Sequence, residues 1–107
     1  MDTSLQQYEQ TAEWLKLMAH PIRLCILHGL SEKTSCNVSY MQQCLQVPQP
    51  TISQHLQKLK SAGLIQAERN GLEMHYRLAS EEVRGLLLQL FHTSSRFDSQ
   101  NNHQETN

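Results

Sequence analysis

Apolar residues along this chain keep helical spacing up to Leu59, switch to strict alternation at 72–78, and return to helical spacing from Val83. In the first stretch, Ser4 to Ala19, one stripe is formed by Leu5, Tyr8, Ala12, Leu15 and Ala19, while Trp14 and Leu17 lie well away from it. A helix apolar on two sides must be covered on two sides. One side packs on its own domain, and the other is left for a second copy. His20-Pro21 ends this helix, because the residue before proline avoids helical dihedrals, and a second helix is expected from Pro21 to about Leu30. Residues 31–36 read as a polar connection. A third, short helix follows from Val38 to Leu45, with Asn37 or Ser39 as its cap. The chain turns at Gln46-Val47-Pro48, and Pro48 or Pro50 suits the first turn of the next helix, where no backbone donor is needed.

That fourth helix carries Ile52, Leu56 and Leu59 at i, i+4 and i+7, on one face. The opposite side presents Gln54, Gln57 and Lys58, with Thr51 and Ser53 on its flanks and Gln49 at its start. His55 lies about 65° from the centre of the apolar stripe, so it is expected to be a semi-buried, hydrogen-bonded histidine. Ala62-Gly63 closes the helix, glycine supplying a left-handed residue. Leu72, Met74, Tyr76 and Leu78 then alternate with Glu73, His75 and Arg77 as a half-buried strand, paired with Ile65 to Arg69. Asn70-Gly71 joins the two, which predicts a type I′ turn. A last helix, from about Ser80 to Thr93, has Ser80 as cap, Glu81 and Glu82 in its first turn, and Val83, Leu86, Leu87, Leu90 and Phe91 as a broad apolar face.

A short helix, a tight turn and a polar-faced helix make a helix-turn-helix, and the hairpin after it is a wing. The expected fold is mostly α with a small β-hairpin, in the order ααααββα. Amide, hydroxyl and ammonium groups on the fourth helix are the types that bond base edges and phosphates in a major groove. Gln54 and Gln57 suit bidentate contacts to adenine. Lys58, Ser53 and Thr51 suit phosphate, and Arg69, Asn70 and Arg77 in the hairpin suit the minor groove or the backbone.

Three runs, Leu17-Met18-Ala19-His20-Pro21-Ile22-Arg23-Leu24, Gln49-Pro50-Thr51-Ile52-Ser53-Gln54-His55-Leu56 and Gly71 to Leu78, resemble the ArsR/SmtB family of bacterial transcription factors over residues 12–91. The resemblance implies a homodimeric winged-helix repressor that leaves its operator when an inducer binds. It also implies a dimer seam between the first and last helices, here Leu5, Tyr8, Ala12, Leu15, Leu86, Leu90 and Phe91. Many members sense metals. The positions that would hold a Cys-Val-Cys in the third helix are filled here by Asn37 and Ser39. Those of the last-helix site are filled by Ser80, Glu82, Thr93 and Arg96. Neither standard metal site is present. The run Asn70-Gly71-Leu72-Glu73-Met74-His75-Tyr76 is similar to a PagR-like clade that lacks these ligands.

Composition adds bounds. At 107 residues the chain is one small domain, expected over 1–93, with a polar and disordered tail over 94–107. No basic leader followed by an apolar run and no membrane-length segment is evident, so a cytoplasmic protein is expected. The net charge of −1 is small for a nucleic-acid binder, but residues 49–77 carry +2 (Lys58, Lys60, Arg69 and Arg77 against Glu68 and Glu73). A shallow salt dependence follows. No paired carboxylates, glycine-rich phosphate loop, Cys-x-x-Cys or His-Glu-x-x-His supports an enzyme. The three cysteines sit on separate elements. Cys25 shares a face of the second helix with His28, and Cys36 is expected to be the most exposed thiol. Both are candidate sensors, since a neighbouring imidazolium or helix N-terminus lowers a thiol pKa. The alternatives are passive apolar fillers or an irregular metal or haem site. The alternative function is a winged-helix protein-interaction module with little sequence-specific DNA binding.

Overall fold

The structure, a computed structural model, describes residues 2–33 and 35–92, and the side chains from Leu5 onward. The elements run α1 (Asp2–Met18), α2 (Pro21–Glu32), β1 (Cys36–Asn37), α3 (Val38–Leu45), α4 (Gln49–Ser61), β2 (Ile65–Asn70), β3 (Glu73–Leu78) and α5 (Glu81–Leu90). All five predicted helices form. Ser80 caps α5 by accepting from the backbone N–H groups of Glu82 and Val83, and Asn37 caps α3 by accepting from that of Tyr40. The expected tail over 94–107, together with Thr93 and Arg96, lies outside the described residues.

The core is built from the predicted stripes. Ile52, Leu56 and Leu59 of α4 meet Ile26, Leu27 and Leu30 of α2, Leu64 just before β2 and Ile65 at its start, and Val83 and Leu87 of α5, all buried. Arg84 of α5 donates to the carbonyls of Leu30 and Ser31, satisfying orphan acceptors at the end of α2. The first helix is two-sided as expected. Met18 is buried, Trp14 and Leu17 pack on the core, and the Trp14 indole N–H donates to the carbonyl of Ala62 at 2.8 Å. The stripe of Leu5, Tyr8, Ala12 and Leu15 stays exposed.

Three local expectations are corrected. The polar connection contains a strand: β1 pairs with β3, Cys36 opposite Tyr76, so the sheet has three antiparallel strands in the order β1-β3-β2. Two residues are too few to show a period, so only pairing reveals this strand. The hairpin turn is centred on Gly71 and Leu72, because Asn70 still pairs with Glu73. Gly71 has φ +70° and, among the described residues, Gln46 is the sole non-glycine with positive φ, which gives the II′ pattern rather than I′. Leu72, expected on the half-buried face, is therefore lifted to the wing tip and is 98% exposed. The helix-turn-helix turn itself rests on Gln46 (φ 58°), a left-handed residue that ends α3.

Candidate nucleic-acid interface and thiol pocket

Burial of Ile52, Leu56 and Leu59 turns the other side of α4 outward, and Gln49, Ser53, Gln54, Gln57 and Lys58 are all exposed, with Thr51 half-buried. Proline at the second helical position and Pro48 just before it start α4 without a side-chain cap. In its first turn Pro50 has no backbone N–H, and those of Thr51 and Ile52 both donate to the Pro48 carbonyl, so this helix start offers few free backbone donors to an anion. The two glutamines are not equivalent. Gln57 donates to the Ser61 hydroxyl at 3.3 Å, whereas Gln54 makes no side-chain hydrogen bond among the described residues. Gln54 thus has its whole amide available for a bidentate contact.

The wing stands beside this face. A cleft lined by Gln49, Ser53, Leu72 and Glu73, among others, separates the start of α4 from the hairpin. Arg69 and Asn70 are exposed near the tip. Arg77 is exposed as well, but its guanidinium donates to Glu68 across the hairpin at 3.0 Å, which offsets one wing cation. Glu73 accepts from Asn37 and lies 3.2 Å from His75, tying the wing to β1 and the start of α3.

His55 is half-buried as expected, but its Nδ1 is enclosed without a hydrogen-bond partner, and its ring packs against His20 at 4.6 Å between centroids. Burial, then the charges of His20, Arg23 and Lys58, push its pKa below the usual histidine value. His20 is engaged in its own way, with Nδ1 accepting from the Ile22 N–H as the cap of α2.

The exposed apolar residues gather on α1 and α5. Leu5, Tyr8, Leu15, Leu86, Leu88 and Leu90 all remain open, and a groove of about 320 Å³ runs between the helices, lined by Trp14, Leu15, Met18, Val83 and Leu86. Phe91 behaves differently from its predicted neighbours. It is half-buried and stacks on His28 at 4.3 Å. Leu88 was not singled out by the helical stripe.

The cysteines depart most from expectation. Cys36 is buried, not the most exposed thiol, because β1 pairing draws it under the sheet; Cys25 and Cys44 are the exposed ones. All three line a single pocket of about 140 Å³ between α2 and α3, together with His28 and Met41. Sulfur pKa values move opposite to the sensor expectation. Desolvation raises that of Cys25, reinforced by Cys44, and desolvation raises that of Cys36, with Lys33 opposing and Cys44 reinforcing. Among the described residues, no group of three or more His, Cys, Asp or Glu side chains is placed to hold a metal ion.

Comparison with known proteins is consistent with this geometry. A family described as "Helix-turn-helix domain" matches residues 18–66. The chain is 40% identical over 79 residues to the transcriptional repressor PagR of Bacillus anthracis, spanning 74% of this chain and 79% of that protein. The PagR crystal structure superposes with a TM-score of 0.74, covering 80% of this chain and 98% of PagR. Similarity to the transcriptional repressor SmtB of Mycobacterium tuberculosis is 40% over 80 residues, 75% of this chain but 58% of SmtB. The solution structure of Mb0332 from Mycobacterium bovis, a homodimeric winged helix-turn-helix domain described as a possible ArsR-family regulator, is 29% identical with a TM-score of 0.76 and covers 96% of this chain and 94% of that one. With its polar-faced α4, its wing and these relatives, the chain belongs to the ArsR/SmtB family of winged helix-turn-helix transcriptional regulators.

Proposed function

We propose that this regulator is a repressor that binds an imperfectly palindromic operator as a homodimer and leaves it when an inducer signal arrives. The observation that carries the reading is the outward polar face of α4, set beside the wing on a domain where Leu5 and Leu15 of α1 and Leu86, Leu88 and Leu90 of α5 stay exposed. Two copies joined through α1 and α5 would set two recognition helices about 34 Å apart, one turn of B-DNA, so that each enters a major groove. Gln54 reads a base edge, and Gln57 joins it at the expense of its Ser61 bond. Lys58, Ser53, Thr51 and Gln49 hold phosphates. Arg69, Asn70 and the Gly71-Leu72 tip reach the minor groove. Since Glu68 offsets Arg77, few phosphates are neutralised per protomer, and affinity falls only gently with salt. No helix among the described residues is long and apolar enough to cross a membrane, in keeping with a regulator acting on cytoplasmic DNA.

Selection of genomic fragments by the purified protein tests the reading, because a repressor enriches a common inverted repeat and a protein-interaction module enriches none. On the recovered site, Gln54→Ala should relax preference at one base pair of each half-site, by roughly 1–3 kcal/mol of discrimination. Lys58→Ala should weaken every sequence alike. Equal loss on specific and random DNA for both variants would overturn the assignment.

A further inference from the structure

The sequence scatters its cysteines over three elements, yet folding brings them to one wall. Cys25 comes from α2, Cys36 from β1 and Cys44 from α3, and all three border the same small, mostly apolar pocket. Cys25 and Cys44 are open to solvent and Cys36 is buried, so a dissolved reagent reaches the first two. A charge on Cys44 is felt by both of the others, which places the sulfurs within electrostatic reach of one another.

We propose that Cys25 and Cys44 form a reversible disulfide between α2 and α3, with a low-molecular-weight disulfide as the oxidant. A deprotonated protein sulfur attacks one sulfur of the oxidant and expels a thiolate, leaving a mixed disulfide. The second protein sulfur, having lost its proton, attacks the first and expels the other thiolate. Two protein thiols lose two electrons and two protons, and the oxidant leaves as two thiols. Thiolate is the attacking form and burial pushes the Cys25 thiol pKa up, so the reaction speeds up as pH rises.

Such a bond requires the two Cβ atoms to lie about 3.5–4.5 Å apart. The pocket of about 140 Å³ gives α3 room to close on α2. Since α3 is the first helix of the helix-turn-helix and packs on α4, closure carries the recognition helix with it. The effect on DNA rests on the operator-binding reading above, whereas formation of the bond does not.

The reduced full chain is equilibrated with mixtures of reduced and oxidised glutathione, alkylated, digested and mapped by mass spectrometry. In parallel, its affinity for the selected DNA is measured at fixed salt. The expected result is a Cys25–Cys44 linkage, retained in Cys36→Ser, with at least a tenfold loss of operator affinity that dithiothreitol restores. Glutathione adducts alone, links between protomers, or pairing through Cys36 would overturn the bond, and mapping on the unmutated chain needs no variant to fold. The assigned linkage with unchanged affinity would overturn the switch. If the reduced protein selects no common DNA sequence, the operator reading fails while the linkage map still decides the disulfide.

Discussion

Truncating Leu15 to alanine should weaken self-association more than it weakens the fold, and the structure sets the size of the effect. Leu15 lies on α1, bordering the α1–α5 groove, and is 48% exposed in the single chain. Burying a whole leucine side chain is worth about 1.5–3 kcal/mol, so covering the open half contributes roughly 0.7–1.5 kcal/mol per protomer. A two-fold interface uses the same residue twice, which doubles this to about 1.5–3 kcal/mol per dimer. At 1.4 kcal/mol per decade, Leu15→Ala should raise the dimer dissociation constant about 10- to 100-fold. Sedimentation velocity over a concentration series measures that constant. Circular dichroism melts of the monomeric variant report separately on the half of Leu15 already buried in its own protomer. Leu72→Ala is the matched control, since Leu72 is 98% exposed on the wing, away from α1 and α5. A dissociation constant for Leu15→Ala within about threefold of the parent value, with the fold intact, would refute dimerisation through this face.

Other substitutions probe the links between elements. Trp14→Phe removes the 2.8 Å bond to the Ala62 carbonyl at the end of α4 and should lower unfolding free energy by about 0.5–1.5 kcal/mol in urea titrations; an unchanged midpoint would mean that water replaces the indole without loss. Leu27 is fully buried, so Leu27→Ala should destabilise by about 2–5 kcal/mol by the same measurement. His55 has a folded-state pKa below its unfolded value of about 6.5, so the fold favours the neutral ring. Its contribution is fully present above that unfolded value and is lost as pH falls from there toward the folded value. His55→Gln should flatten this slope in urea melts at stepped pH, and parallel curves for both proteins would remove His55 as the cause.

Much of this molecule could be read along the chain. The bounds of α3, Val38–Leu45, follow from the Asn37 cap and the polar turn after it, and those of the apolar stripe on α4 from spacing alone. The two-sided α1 was evident from Trp14 and Leu17 standing off the main stripe, and the structure gives each side a distinct environment. Where reading failed, the deciding interaction was remote in sequence or a matter of one residue's register. Asn-Gly favours a I′ hairpin locally, but pairing of Asn70 with Glu73 shifts the turn by one residue and lifts Leu72 to the tip. The left-handed Gln46 carried no signal, since glutamine has no preference for that conformation.

Periodicity and capping are local quantities, set by 3.6 or 2 residues per repeat, and they were enough to determine the five helices and the two hairpin strands of this protein, the order of those elements and the polar face of its recognition helix. What lies beside what depends on how separate helices and strands pack, which no single stretch of sequence encodes. Only the tertiary structure therefore paired Cys36 with Tyr76 in a third strand and left the Nδ1 of His55 unpartnered. By the same packing, it gathered Cys25, Cys36 and Cys44, 19 positions apart from first to last, around one pocket.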